Sequence, residues 1–233
     1  WDRPQEDEFA LCNLGIPSPY ATIAFPNRPL QNQAYLALDT LTDQQRKRWK
    51  TGFKQFLQRI NYPKSGRLVL KSPTHTFRIP TLLDMFPDAR FINLVRHPLA
   101  IFMSTMRLWK SLFAMHGYQK PNHEGLAEYV FAIFDQMHHR LEMTRSLVPE
   151  DRFIDIHYEE LVDRPLAVIQ QTYAKLNLGD LDLVRPAIET YIDRHSGHQP
   201  YPHTPTAELA VQVFDRWQPY YEKYGYERIL CRV

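Results

Sequence analysis

Two strand-loop-helix patterns follow one another within residues 67–104, and they constrain the fold more than any other stretch of the chain. In the first, the apolar run 68–70 leads into Lys71 and a helical pattern. In the second, the run 90–95 leads into Arg96 and another helix. Repeated units of this kind are typical of a parallel sheet covered by helices. Such sheets bind ligands at the carboxyl ends of their strands, where Lys71 and Arg96 are expected to lie.

A third strand and several amphipathic helices complete the predicted α/β pattern. Residues 152–156 have the composition of a strand, and polar residues follow it at 157–160. Thr42 and Gln45 have the spacing of a capping box, which predicts that a helix begins there. Further helices are predicted over residues 76–86, 98–112, 123–147, 165–176, 183–194 and 206–224.

Length and composition exclude several classes of protein. A chain of 233 residues can bury a full core, so residues 1–233 are predicted to form a single α/β domain. A net charge of +2 is too small for a nucleic-acid-binding surface. No apolar run is long enough to span a membrane. Cys12 and Cys231 are expected to be unpaired thiols in a reducing compartment, which favours a cytoplasmic protein.

Arg96 and Ser104 form a candidate phosphate site at the second strand-to-helix crossing. Arginine presents a planar fork of donors that matches phosphate or sulfate. A serine hydroxyl near the start of a helix adds a donor where the helix dipole already favours an anion. The other interpretation of Arg96 is a surface arginine held in a salt bridge.

The first crossing carries Lys71, Ser72, Thr74 and His75. A lysine here can reach a second anionic group, and the two hydroxyl residues can donate hydrogen bonds. His75 has an unperturbed pKa of about 6.5, so it can accept a proton from an acceptor hydroxyl. Its other interpretation is a capping or structural histidine.

An acidic run precedes an apolar run near the amino terminus, at Glu6-Asp7-Glu8. Acids in this arrangement usually mark the start of a helix, where carboxylates meet the positive end of the dipole. The alternative is that one of them does chemistry. The sequence leaves both interpretations open.

Together these motifs resemble the sulfotransferase family that uses 3'-phosphoadenosine 5'-phosphosulfate. The resemblance is carried by Lys71-Ser72-Pro73-Thr74-His75, by residues 91–98 with Ser104 eight residues after Arg96, and by residues 157–165. It is closest to the bacterial branch of the family, to which residues 3–8 and 17–20 are also similar. It covers most of the chain, and the spacing from Arg96 to Ser104 is its most specific element.

The resemblance implies an α/β fold with a three-layer, P-loop-type parallel sheet flanked by helices. It implies that Arg96 and Ser104 hold the 3'-phosphate of the donor, that Lys71 approaches the sulfate, and that Tyr158 borders the adenine. The implied reaction moves a sulfuryl group to a hydroxyl or amine of a small-molecule, glycan or peptide acceptor and leaves adenosine 3',5'-bisphosphate. The family generally needs no metal, and no His/Cys cluster in this sequence has convincing ligand spacing.

The sequence departs from the family pattern in two respects. The family's first strand and its 5'-phosphosulfate loop are not found in these residues, so we expect that the chain, which starts at Trp1, lacks an amino-terminal part. The other interpretation is a form unable to hold the donor fully. The base is also open, because some members use a histidine closer to the lysine than His75 is, and others use a glutamate where Glu6 and Glu8 fall.

Two other functions stay open. A P-loop-type kinase would need a Gly-x-x-x-x-Gly-Lys-Ser/Thr loop, which is not seen in the sequence. The other is a non-catalytic nucleotide-binding relative.

Two further elements of the site are predicted from composition. Residues 196–203 are a candidate lid. The candidates to line an apolar acceptor pocket are Tyr20, Phe25, Trp109 and Tyr118.

Overall fold

The structure, a computed structural model, describes residues 5–62, 66–195 and 205–228. Backbone contacts divide the chain into two compact units, which we describe separately. The first unit comprises Trp1–Pro87 and Met106–Thr144, and the second comprises Asp88–Thr105 and Arg145–Val233. The single domain over residues 1–233 stays a prediction. The candidate lid at 196–203 and Cys231 lie outside the described residues, and Cys12 is a free thiol.

The described residues form ten α-helices, five short 3₁₀ segments and two strands. The α-helices are α1 (Asp7–Asn13), α2 (Ala21–Ala24), α3 (Asp43–Asn61), α4 (Ile79–Met85), α5 (Pro98–His116), α6 (Leu126–Thr144), α7 (Tyr158–Asp163), α8 (Pro165–Lys175), α9 (Arg185–His195) and α10 (Ala207–Tyr224). The 3₁₀ segments are Gln33–Tyr35, Pro73–Arg78, Arg145–Leu147, Glu150–Arg152 and Leu181–Leu183. The strands are β1 (Phe91–Val95) and β2 (Phe153–His157). None of the helices described here is long and apolar enough to cross a membrane.

The two strands form a parallel sheet in the second unit, which confirms the predicted α/β class. Phe91 lies opposite Phe153 and Val95 opposite His157, so the two carboxyl ends are level. At the centre of the sheet, the side-chain amide of Asn93 donates to the carboxylate of Asp155 at 2.7 Å. Because the strands end together, the residues that follow each of them are brought to one edge of the sheet.

The predicted strand at residues 68–70 is wrong. Leu68 is 38% exposed and Val69 is 89% exposed, and the segment has no strand structure. A strand is stabilised by ladder hydrogen bonds to a neighbour, and the described residues supply no strand that pairs with this run. Lys71 therefore follows a segment without regular structure and not the end of a strand.

Helix α3 begins as the sequence predicts. The Gln45 N–H donates to the hydroxyl of Thr42 at 3.3 Å, and the Thr42 N–H donates back to the Gln45 side chain at 3.0 Å. Trp49 and Phe53 on this helix are fully buried in the first unit, whereas Ile60 near its end is 42% exposed. The apolar stripe is thus core only over its first half.

Helix α10 is also capped as predicted, but it is kinked. Its first turn is closed by the Leu209 N–H, which donates to the Thr206 hydroxyl at 3.2 Å. Trp217 has non-helical backbone angles two residues before Pro219, because proline cannot donate the helical hydrogen bond and its ring crowds the preceding turn. The helix ends at Tyr224 and is followed by Gly225, whose φ of 68° is readily adopted by glycine.

Candidate functional site

Three ion pairs join the start of helix α1 to the segment around Pro73–Arg78 within the first unit. The pairs are Glu6 with Lys71, Asp7 with His75, and Glu8 with Arg78. We call these six residues the acid cluster. It brings together four residues that the sequence singled out as catalytic candidates, namely Glu6, Glu8, Lys71 and His75.

The pair of Glu8 and Arg78 is the innermost of the three, and both residues are fully buried. The guanidinium donates from Nη1 to Oε2 at 2.6 Å and from Nη2 to Oε1 at 3.2 Å, which is a bidentate contact. The hydroxyl of Ser18 donates to Oε1 at 2.5 Å, and that of Thr74 donates to Oε2 at 3.0 Å. A carboxylate has about four acceptor sites, so Glu8 has none left for another donor.

Arg78 is satisfied in the same way. Besides Glu8, it donates to the hydroxyl of Thr74 at 3.0 Å and to the backbone carbonyls of Tyr35 and Leu36 at 2.6 and 3.1 Å. These bonds use all five N–H groups that a guanidinium carries. The ring of Trp49 lies 4.8 Å from the guanidinium carbon. A buried ion pair offsets its desolvation only when such further hydrogen bonds are made, and here they are.

Sequence analysis missed Arg78. The residue lies one position before the apolar part of α4, in a run that reads as the continuation of a helix. The signal that could have found it is a lone arginine at a position that helical periodicity assigns to the core. Asp7 and Glu8 lie in the first turn of α1, as expected for acids that mark the start of a helix. They also bind the side chains of His75 and Arg78.

Asp7 and His75 form the second pair. The Nε2 atom of His75 lies 3.0 and 3.2 Å from the two carboxylate oxygens, and the Asp7 side chain is only 3% exposed. The ring also packs 5.7 Å from that of Phe53. Its Nδ1 atom is buried and has no hydrogen-bond partner in the part of the chain that the structure describes. The pair is therefore largely shielded from solvent.

Glu6 and Lys71 form the outermost pair, which borders a cavity of about 280 Å³ together with Gln5 and Phe9. The Glu6 side chain is 20% exposed and that of Lys71 is 75% exposed. The hydroxyl of Tyr20 donates to the second oxygen of Glu6 at 2.5 Å. Burial raises the pKa of Tyr20, and the neighbouring Glu6 carboxylate raises that pKa further, so this hydroxyl stays a donor. Of the three acids, Glu6 is thus the most accessible.

A separate feature of the second unit is an arginine that has no carboxylate partner in the described part of the chain. Arg96 follows β1 and precedes α5, and its guanidinium lies 4.5 Å from the centre of the Tyr158 ring. Among residues 5–62, 66–195 and 205–228, no carboxylate lies within 4.0 Å of it. A half-buried cation at the carboxyl end of a parallel strand, next to the amino terminus of a helix, is an arrangement suited to an anion.

Arg96 and Tyr158 are therefore in contact, and the roles that the resemblance implies for them, at the 3'-phosphate and at the adenine, stay predictions. Ser104 lies two turns into α5, and its hydroxyl donates to the carbonyl of Ile101 at 3.1 Å. Within the described residues the Ser104 hydroxyl makes no hydrogen bond to Arg96, so their convergence on one group stays a prediction.

The loop after β1 is fixed by Glu159, which lies in the 157–165 motif, and by Tyr220 and Tyr226, which sequence analysis missed. The Glu159 carboxylate accepts from the backbone N–H of His97 at 3.0 Å and from the hydroxyl of Tyr226 at 2.9 Å. The backbone N–H of Arg96 donates to the hydroxyl of Tyr220 at 3.3 Å. We call Glu159, Tyr220 and Tyr226 the carboxyl-end clamp. It ties the residues after both strands to helix α10 and the segment that follows it.

The electrostatics of the clamp follow from these contacts. Partial burial acts to raise the pKa of Glu159, but the N–H of His97 and the Tyr226 hydroxyl outweigh it, and the pKa is lowered. Burial raises the pKa of Tyr226, and its hydrogen bond to the Glu159 carboxylate raises it further. Glu159 is therefore held as a carboxylate and Tyr226 as a neutral donor.

Comparison with known proteins identifies the family. A model described as "Sulfotransferase family" matches residues 20–182. The chain belongs to the sulfotransferase family. This confirms the resemblance inferred from residues 71–104 and 157–165.

Two curated relatives of this sulfotransferase-family chain are named omega-hydroxy-beta-dihydromenaquinone-9 sulfotransferase Stf3, from Mycobacterium bovis and Mycobacterium tuberculosis. Each is 37% identical over 226 residues, which is 97% of this chain and 58% of the relative. The chain thus spans 58% of the length of these relatives. The crystal structure of sulfotransferase STF9 from Mycobacterium avium matches with a TM-score of 0.76 at 19% identity. That match covers all of this chain and 59% of the other, and it bears on the fold alone.

The described residues contain no group of three or more His, Cys, Asp or Glu that could hold a metal ion. The prediction that the reaction needs no metal is not tested by this observation.

We predict that Arg78→Met lowers the free energy of unfolding by about 3–5 kcal/mol relative to the native chain, because it leaves the Glu8 carboxylate buried and unpaired. Equilibrium urea unfolding measures this change. The matched control is Lys50→Met, which removes a pair with the exposed Asp84 and is expected to leave stability nearly unchanged. A loss for Arg78→Met no larger than that for the control would contradict the importance we assign to the pair.

We further predict a pH-dependent effect of Glu159→Gln. The folded-state pKa of Glu159 lies below the unfolded value of about 4.3, so its contacts stabilise the fold above that pH. The stabilisation is lost as the pH falls through the folded pKa. Urea unfolding from pH 7 to pH 3.5 should show a stability difference from wild type that is constant above about pH 5 and shrinks below about pH 4.3. A difference that stays constant throughout contradicts the prediction, and Glu160→Gln serves as the neighbouring control.

Proposed function

We propose that the protein transfers a sulfuryl group from 3'-phosphoadenosine 5'-phosphosulfate to a hydroxyl group. The observation that carries the proposal is the half-buried guanidinium of Arg96, stacked on Tyr158 without a carboxylate in the described chain, in a member of the sulfotransferase family. A cation in this position is suited to a doubly charged phosphate. Each role below rests on contacts within one of the two units.

In the second unit, we propose that Arg96 binds the 3'-phosphate of the donor and that Tyr158 borders the adenine. Ser104 would assist by turning its hydroxyl from the Ile101 carbonyl towards the phosphate, a change of one rotamer. The carboxyl-end clamp would keep the backbone of Arg96 in place, so that less order has to be gained when the nucleotide binds.

In the first unit, we propose that Glu6 is the base. A base must reach the proton that it removes, and Glu6 borders a cavity, whereas all acceptor sites of Glu8 are occupied. Glu8 is then a positioning residue that orders α1 through Arg78. His75 stays the alternative base, since its ring is 14% exposed and is oriented by Asp7.

The proposed reaction conserves atoms and charge. The acceptor oxygen forms a bond to sulfur while the bond from sulfur to the bridging phosphate oxygen of the donor breaks. The acceptor's proton passes to Glu6, and adenosine 3',5'-bisphosphate leaves with the electron pair of the broken bond. Lys71, whose ammonium group contacts Glu6, would offset negative charge on the group that is transferred.

For the acceptor, we propose an alcohol on a largely apolar molecule. The two curated relatives are named for a hydroxylated menaquinone, and the cavity beside Glu6 has the ring of Phe9 in its wall. This narrows the wider class of small-molecule, glycan and peptide acceptors that the family resemblance implies.

We predict that the chain binds adenosine 3',5'-bisphosphate in preference to ATP with Mg²⁺, and that Arg96→Ala weakens this binding. The expected loss is about 2–4 kcal/mol, since a desolvated phosphate loses its charged partner. Isothermal titration calorimetry measures both. Arg164→Ala removes an arginine that follows β2 and whose side chain is 55% exposed, and it should bind as the wild type does. Preference for ATP would instead favour a kinase, and equal affinity of the Arg96 variant would refute the site.

We predict that Glu6→Gln lowers kcat by about 10²–10⁴-fold, the range for loss of a general base. The affinity for adenosine 3',5'-bisphosphate should stay unchanged, because Glu6 is not part of the proposed nucleotide site. Transfer from the labelled phosphosulfate donor and calorimetry measure the two quantities. Glu189→Gln, an exposed acid on α9, is the control for charge loss. If His75→Asn abolishes turnover and Glu6→Gln does not, the base is His75 instead.

A further inference from the structure

A second cavity lies within the first unit, away from the residues assigned above. Its volume is about 500 Å³, within the range of about 300–1,000 Å³ that is typical of small-molecule sites. One wall is the loop at residues 26–33, and the other is a face of helix α6. Neither the sequence motifs nor the family match points to it.

The walls of this cavity are largely apolar. On the helix, Leu126, Tyr129 and Ile133 recur at the spacing of one helical face. The other apolar lining residues are Pro26, Pro29, Leu30, Phe113 and Ala132. Burial raises the pKa of Tyr129 to about 12, although the nearby Gln33 side chain acts to lower it, so the Tyr129 hydroxyl stays neutral.

The charges around the cavity are of both signs. Arg28 lies over the ring of Phe25 at 4.7 Å, while Glu124 and Glu128 also line the site. A concentrated charge of one sign would indicate an ionic ligand. This lining instead suits an uncharged aliphatic group.

The loop wall is held in place although it has little regular structure. The Asn27 side chain donates to the carbonyl of Lys120 at 2.9 Å and accepts from the N–H of Asn122 at 3.0 Å. The N–H of Tyr118 donates to the carbonyl of Ala24 at 2.8 Å. A ligand that enters therefore meets a cavity that is already formed, which lowers the cost of binding.

The same loop is joined to the acid cluster. Thr22 lines the cavity, and two residues before it Tyr20 donates its hydroxyl to Glu6. The Cα atoms of Tyr20 and Thr22, two positions apart in the chain, can be at most about 7 Å from each other. The Thr22 hydroxyl accepts from the N–H of Gln31 at 2.9 Å, and the Asn32 side chain donates to the carbonyl of Ser18 at 3.1 Å. The segment 18–33 thus carries the contact to Glu6 near its start and the cavity wall near its end.

We propose that this cavity binds the aliphatic chain of the acceptor alcohol, whose hydroxyl is presented to Glu6. The inference rests on the proposed function for the identity of the ligand, but the binding site can be tested alone. The aromatics expected to line an acceptor pocket, Tyr20, Phe25, Trp109 and Tyr118, are not among its lining residues.

Farnesol, an uncharged alcohol with a branched aliphatic chain, is the probe. Trp109 is a built-in reporter, because its ring lies 5.3 Å from that of Phe113 and 5.5 Å from that of Tyr129, both of which line the cavity. Farnesol should change the tryptophan fluorescence in a saturable way, and Trp109→Phe should lose that change. Ala132→Phe, which fills the cavity from helix α6, should weaken farnesol binding by at least about tenfold.

The control is Met143→Phe, which adds a ring at an exposed position of the same helix outside the lining and should leave farnesol binding unchanged. Adenosine 3',5'-bisphosphate is titrated against all three variants and should bind equally. If farnesol binds Ala132→Phe as it binds the wild type, or fails to bind at all, the cavity assignment is overturned. If farnesol binds as expected but the bisphosphate does not, the proposed function fails while the apolar site stands.

Discussion

The contact between Glu8 and Arg78 determines how the amino-terminal helix and the segment Pro73–Arg78 are arranged in the first unit. Bringing two charges out of water costs several kcal/mol for each ion, and mutual attraction alone seldom offsets that cost. Here the four acceptor sites of the carboxylate and the five donors of the guanidinium are all used. A partner that slipped by one residue would leave several of these bonds unmade. The pair therefore fixes which residue faces which, and through that register it sets the other two ion pairs.

Arg96 in the second unit is bound differently from Arg78 in the first. Arg78 has every donor satisfied by the protein, whereas Arg96 is stacked on Tyr158 and has no carboxylate neighbour in the described residues. Tyr220 and Glu159 accept hydrogen bonds from the backbone N–H groups of Arg96 and His97. The guanidinium fork of Arg96 is left available. An arginine that is positioned but not neutralised is what anion binding requires, because a fixed internal carboxylate would have to be displaced first.

Sequence patterns predicted the parts of this structure that depend on neighbouring residues. The capping box at Thr42, the N-cap at Thr206 and helical periodicity located α3 and α10, and the apolar runs at 91–95 and 153–157 were found to within one residue. The run 68–70 has similar composition but is not a strand, since strand formation depends on a pairing neighbour and not on composition alone. Arg78 and Tyr226 were missed for a related reason. Their partners lie 70 and 67 residues away, and no local signal reports such contacts.

The acid run Glu6-Asp7-Glu8 combines buried structural contacts with the carboxylate that we propose as the base. Glu6 has an extended backbone and lies just outside α1, while Asp7 and Glu8 occupy its first turn, where successive side chains are rotated by about 100°. The side chains of Glu8, Asp7 and Glu6 are accordingly 1%, 3% and 20% exposed. The innermost acid is held by a guanidinium that cannot lose its proton, and the outermost borders a cavity. Since the buried pair fixes the helix, the accessible carboxylate two residues away is positioned without having to be buried itself. A group that is held by its neighbours and still reachable is what a general base needs, which is why we assign that role to Glu6 and not to the better-bonded Glu8.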